Sequence, residues 1–474
     1  MINSADKLVK WVITLFFMFG FGFLPTFSAM TPEGMKILGI FIGAVFGWSV
    51  LGILEVTICA MVAYSLVVGF NTFVASSFGS PMIAMMMVFF PVCGMLNEYR
   101  VLQALAQKFI TMKFCERKPL RICFTLFLTA FLCAPISGPI IAILVMAFAK
   151  NICDVAGIKT PSKTSVAMAI GIALGCMCGQ MYIPVFGAPL VLVGALTAIT
   201  GLTVNLAKYM LLIVPCGLLM LLVYTACMKY VMKVDVSSLE CVTAETLGGR
   251  VKFTKDQSKS LLVAGLLLLA MVANSAAPAG SALYNALSTF GMFGIPLTGI
   301  MIMLFLKNEA GGPLFNFAKF ARDGFGWEPF FLAAFIVPFA TYMTGGTTGI
   351  SATITALMGP LMGLSPLAFL ILAFALVCVI TNFAQNTVVV IMCLPFFMAY
   401  GMSAGYVMDG MYILLMLVAQ IAILSPGSST IDGIIYSMKD MVDVTMVAPL
   451  AIKALPILFI SLMAVGMPLT MLLW

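Results

Sequence analysis

The chain has 474 residues, 63% hydrophobic and only 9% charged, with a net charge of +7. Soluble domains carry roughly 25% charged residues, so a large soluble enzyme or nucleic-acid binder is excluded and a polytopic membrane protein is indicated. The chain has no histidine, which removes the commonest metal ligand and acid–base catalyst, and its cysteines lie singly in apolar runs, which argues against a zinc site or a disulfide framework.

Backbone groups in lipid must be satisfied internally, so the apolar runs read as helices. The first spans are predicted at 9–28, 35–50, 54–70 and 81–97. The run after Lys7 and Lys10 lacks a small-residue cleavage site and reads as a retained span. An amphipathic stretch at 98–115 precedes a re-entrant hairpin, 120–151, whose tip is Pro135-Ile136-Ser137-Gly138-Pro139. A broken helix at 164–199 is interrupted at Gly187-Ala188-Pro189, and a plain span covers 205–228. The polar linker 229–259 then separates 1–228, an N-terminal span plus first repeat, from a second repeat at 260–474. That repeat opens with spans at 260–276, 281–306 and 328–344. A small-residue stretch, Thr347 to Gly363, reads as a helix along the membrane surface. A second hairpin, 365–401, has its tip at Thr381 to Thr387, and a second broken helix, 407–438, is cut at Ser425 to Thr430. A last span covers 444–472. The predicted fold is therefore an all-α polytopic membrane protein of about 11 transmembrane segments, with two re-entrant hairpins and two broken helices.

Charge orients this layout. With the N-terminus cytoplasmic and the C-terminus outside, the N-terminus and loops 98–121, 150–163, 229–259, 307–328 and 439–443 hold every Lys and Arg except Lys36, Lys208 and Lys453, as the positive-inside rule requires. The two hairpins then enter from opposite sides, which makes an inverted repeat. Paired interruptions of this kind point to a transporter site, in a cell inner (plasma) membrane. Each tip exposes a helix N-terminus, which favours an anion. Asn386 is the expected N-cap of the second tip, with Thr387 in the first turn. At the first tip, Gly138 offers bare backbone. Asp432, beyond the serine cluster, is a candidate to hold a cation, carry a proton or cap its helix. Glu55 reads as part of a short cytoplasmic turn, Lys453 as a snorkelling lysine, and the methionines as packing residues.

Thr31-Pro32-Glu33-Gly34, the second tip Gln385-Asn386-Thr387, and the turns Gly187-Ala188-Pro189 and Ser428-Ser429-Thr430-Ile431-Asp432 resemble the divalent-anion/sodium symporter family, which carries di- and tricarboxylates and sulfate. The resemblance covers nearly the whole chain in layout. It implies substrate contacts from Ser137, Gly138, Ala188, Asn386, Thr387 and Ser429. It implies sodium sites from Thr381, Gln385, Asn386 and Ser428, and from Ser137, Gly138 and Gly187, with a homodimer and elevator-type movement. The family's first-tip Asn and Thr are replaced by Gly138 and Pro139, and its Asn by Asp432, so the first cation site has lost side-chain ligands.

The expected function is sodium-coupled transport of a small anion, with a dicarboxylate first among candidates. A proton-coupled carrier, an anion exchanger, the membrane subunit of a binding-protein-dependent (TRAP-type) transporter and a channel or cation antiporter stay open. The expected partners are the anionic substrate, membrane lipid and a second copy of the chain, without nucleic acid. No cofactor is expected beyond sodium ions, and no catalytic activity.

Overall fold

The computed structural model describes residues 4–112, 118–185, 187–243, 245–246, 249, 251–278, 280–357 and 363–474. Residues 113–117 of the predicted loop 98–121, 186 of the first broken helix, 244, 247, 248 and 250 of the linker, and 358–362 of the predicted surface helix lie outside the described residues, as do 1–3 and 279. Among the described residues the ordered structure is helical, apart from one isolated bridge between Lys307 and Pro313. Eight helices are long and apolar enough to cross a membrane, or up to 11 if each sharply bent pair is one span. The chain is a polytopic all-α membrane protein.

The helices sort into two packed groups. One comprises Pro32–Val50, Ile53–Val68, Pro81–Glu98, Lys255–Ala276, Gly291–Phe305 and Trp327–Thr344; we call it the scaffold. The other, the core, holds the elements around the two predicted hairpins and broken helices. The pair Pro119–Cys133 and Gly138–Val155 packs on Lys163–Met181, and Leu206–Tyr230 packs on Val444–Leu473. The pair Pro366–Thr381 and Asn386–Ala404 meets Asp409–Val418. The groups touch mainly where Gly187–Thr200 lies along Trp327–Thr344.

Local chemistry explains several helix starts. Thr31 accepts from the Gly34 N–H at 3.0 Å, with Pro32 at the first helical position. Capping boxes open Lys163–Met181 and Lys255–Ala276. Lys163–Met181 is apolar all round and almost wholly buried. Its Gly175 and Gly179 let the first hairpin arm approach closely: a Cβ at Gly179 would stand 2.2 Å from the Phe131 carbonyl oxygen, and one at Gly175 2.6 Å from that of Phe127.

Four predicted boundaries are corrected. The loop expected after 54–70 contains a helix, Phe70–Phe78, which turns by 120° from Ile53–Val68 at Gly69, where φ is +90°. The predicted loop 307–328 contains a helix, Phe317–Gly324, capped by the Asn316 side chain. The span 281–306 is two helices, Ala282–Ser288 and Gly291–Phe305. The second broken helix unwinds from Ala419, before the serine cluster, and resumes at Thr430. Glu55 sits in the first turn of Ile53–Val68 rather than in a free turn.

Candidate functional site

Four half-helices begin at one place. Gly138–Val155, Gly187–Thr200, Asn386–Ala404 and Thr430–Ser437 start at residues that line a single cavity of about 390 Å³. That volume suits a small solute. Ser137, Gly138, Gly187, Ala188, Gln385, Asn386, Thr387 and Ser429 all line it. Aligned peptide dipoles at four helix starts make this wall electropositive without a cationic side chain. Thr381, Ser428 and Asp432 lie behind it, each fully buried.

The second tip differs from expectation in one detail. Gln385, not Asn386, is the N-cap, accepting from the Val388 N–H at 3.1 Å. Asn386 is the first helical residue, and its side chain turns inward. Its Oδ1 accepts from the Thr381 hydroxyl at 2.8 Å, and its Nδ2 donates to Gln420 Oε1 at 3.3 Å. The Asn386 N–H donates to the Ser428 carbonyl at 3.0 Å, which ties the tip to the broken helix. Thr387 lines the cavity, and its hydroxyl has no hydrogen-bond partner among the described residues.

Unwinding at 419–429 leaves backbone groups that need partners in an apolar setting. Side chains supply them. The Thr381 hydroxyl, whose one hydrogen is shared between Asn386 Oδ1 and the Ala419 carbonyl at 2.8 Å each, covers one of them, and Asn382 Nδ2 donates to the Ile421 carbonyl at 3.0 Å. The Tyr436 hydroxyl donates to the Ile423 carbonyl at 2.8 Å, and the Leu424 N–H donates to Asn382 Oδ1 at 2.9 Å. The first half answers the same need with tyrosines. Tyr182 donates to the Leu132 carbonyl and Tyr209 to that of Met181, each at 2.7 Å.

Asp432 sits in the first turn of Thr430–Ser437, whose N-cap is Ser429. Its N–H donates to Ser429 Oγ at 3.0 Å, while its Oδ2 lies 2.6 Å from Ser429 Oγ and 2.8 Å from Ser428 Oγ. Its Oδ1 is buried without a partner. The Ser428 hydroxyl has one hydrogen and three acceptors in reach: Asp432 Oδ2, the Ser425 carbonyl at 2.7 Å and the Ala422 carbonyl at 3.2 Å. The cluster holds more lone pairs than protons, an arrangement that a small cation or one added proton would complete.

Several site residues carry signals that the sequence reading passed over. Gln180 and Gln420 line the cavity at the ends of the two broken helices' first halves; a lone amide in each apolar run marked them. Met177 was counted as packing, yet its sulfur lies 3.5 Å from Ser429 Oγ and 3.8 Å from Asn386 Nδ2. Asn97 and Glu328 reach the cavity from the scaffold, a contact between groups that no local pattern encodes. Lys453 is exposed on the last helix, and no cluster of three or more His, Cys, Asp or Glu fit to hold a metal ion occurs among the described residues.

No protein-family model and no curated protein matches the chain. Solved structures do. The Alcanivorax borkumensis YdaH transporter, described as having an unusual topology, superposes with a TM-score of 0.57 at 13% identity, over 86% of this chain and 89% of that one. Neisseria gonorrhoeae MtrF, described as illuminating a class of antimetabolite efflux pumps, gives 0.55 at 14% identity, over 95% and 97%. The likeness is one of fold, to transporters, and carries no argument for the divalent-anion/sodium symporter family.

Proposed function

We propose that the chain is a secondary transporter of a small anion, with dicarboxylates first among the candidates, coupled to a cation and working by alternating access. One observation carries this reading: both hairpin tips and both helix breaks line one cavity, with four helix N-termini facing it. The ligand's acidic group would lie against Gly138, Ala188, Asn386, Thr387 and Ser429. Sodium is the favoured coupling ion, placed by Thr381, Asn386, Ser428 and the donor-poor oxygens around Asp432. The first-half position, Ser137 with Gly138 and Gly187, has one hydroxyl and otherwise backbone, which favours a single strong cation site over two. Movement of the core along the scaffold, past the contact of Gly187–Thr200 with Trp327–Thr344, would be the elevator step; we place a homodimer around that scaffold.

The cavity is lined by Asp323 to Gly326 and by Glu328, within the segment 307–328 that carries Lys307, Lys319 and Arg322. If that segment is cytoplasmic, the structure faces inward. A second reading, export rather than uptake, is favoured by the likeness to MtrF, itself described as an efflux pump. The test is transport by the purified chain in liposomes under imposed sodium, proton or no gradients, using labelled dicarboxylates. Gradient-driven accumulation supports uptake, and gradient-driven depletion supports export. No flux of any acid under any gradient, from protein that remains folded, sinks the proposal.

A further inference from the structure

The two walls of the cavity carry opposite electrostatics. The core wall is built from helix N-termini and neutral groups, among them Thr387, whose hydroxyl has no hydrogen-bond partner among the described residues. The scaffold wall carries carboxylates. Asp323 is held by Arg322, Nε to Oδ1 at 3.0 Å. Glu328, exposed in the first turn of Trp327–Thr344, lines the cavity and has neither a hydrogen bond nor an ion pair among the described residues, with the like charge of Glu55 near enough to act on it. Among the described residues neither Lys nor Arg lines the cavity, and the chain has no histidine.

The geometry points to a zwitterionic substrate, an acid bearing an ammonium group, seated with its carboxylate on the Thr387 wall and its ammonium on Glu328. This rests on the transporter reading and narrows its substrate class. A plain dianion would meet an uncompensated carboxylate across the cavity, whereas an ammonium group turns that repulsion into attraction. Glu328 is then a specificity-determining residue, contributed by the scaffold rather than by the moving core.

The test compares matched pairs on the purified full chain: succinate with aspartate, and glutarate with glutamate, by calorimetric titration in sodium. The expected result is at least about tenfold tighter binding of each amino acid. In Glu328→Gln that ratio falls to near one, and in Glu328→Asp it is largely kept; size-exclusion profiles show that each variant is folded. Plain diacids that bind as well as their amino partners overturn the inference and leave the transporter reading standing, as does an unchanged ratio in Glu328→Gln. Binding of neither pair overturns the inference too, and the liposome assay then decides separately whether the transporter reading survives.

Discussion

Ser428 Oγ lies 2.8 Å from Asp432 Oδ2 and is equally committed to the Ser425 carbonyl, 2.7 Å away. One hydroxyl hydrogen cannot serve both, and Asp432 Oδ1 has no donor at all. Ser428 and Asp432 are fully buried, so this shortage costs stability until a cation or a proton relieves it. That arrangement sets the first prediction.

Asp432→Asn replaces the carboxylate with a group that brings two N–H donors. The cation-free protein should unfold at a higher temperature than the parent, by an amount corresponding to about 1 kcal/mol. Sodium should stabilise the parent and leave the variant unmoved, and cation-driven flux should fall at least about tenfold. Thermal unfolding with sodium or choline chloride reads both effects. Sodium stabilisation that persists in the variant would remove Asp432 from the coupling site.

Thr387 and Asn386 are neighbours with different duties. The Thr387 hydroxyl has no hydrogen-bond partner among the described residues, so Thr387→Val should leave the unfolding temperature unchanged while ligand affinity falls about tenfold. Asn386→Ala removes an acceptor of the Thr381 hydroxyl and leaves Gln420 Oε1 without its donor, and should lower stability by about 1–3 kcal/mol before any ligand is added. Comparing unfolding with ligand titration separates the two. Equal loss of stability in both variants would contradict the assignment of Thr387 to a ligand.

These residues also show what the sequence made legible. Ser137, Gly138, Gln385, Asn386 and Thr387 stood out because small or polar groups interrupt apolar runs, and such groups have a reason to be in a membrane only if they cap, pack or bind. The unwinding at Ala419 to Leu424 did not stand out, since Ile421, Ala422, Ile423 and Leu424 read as helix. Those residues unwind because distant side chains, Thr381, Asn382 and Tyr436, take their carbonyls, and that is information in the fold rather than in the local pattern. Glu328 is the same case across two helix groups. Gly171, Gly175 and Gly179, by contrast, form a small-residue repeat that is legible in the sequence.

That repeat supports a packing prediction. A methyl group at Gly179 would collide with the Phe131 backbone at 2.2 Å, and backbone cannot rotate away as a flexible side chain can. Gly179→Ala should cost about 1–3 kcal/mol of stability. Gly265→Ala is the control, since nothing lies within 4 Å of a Cβ there. A Gly179→Ala protein as stable as the parent would mean the hairpin arm is free to shift outward.

The last prediction concerns a link between the repeats. Lys150, near the end of the first hairpin, forms an ion pair with Asp440, in the loop before the last helix. Hydrogen bonding and charge from Lys150 hold the Asp440 carboxyl below its usual range. A depressed folded-state value means the pair favours the folded state above the ordinary aspartate range, and that this contribution is lost as pH falls through the lowered value. Both partners are largely solvent-exposed, so the effect is small and screened by salt. Lys150→Met should therefore lower the unfolding temperature by about 1 °C at pH 7 and low ionic strength. The difference should shrink in high salt and vanish in acid, where Asp440 is protonated with or without its partner. A difference that survives both treatments would assign the effect of Lys150 to the packing of its methylene chain instead of to its charge.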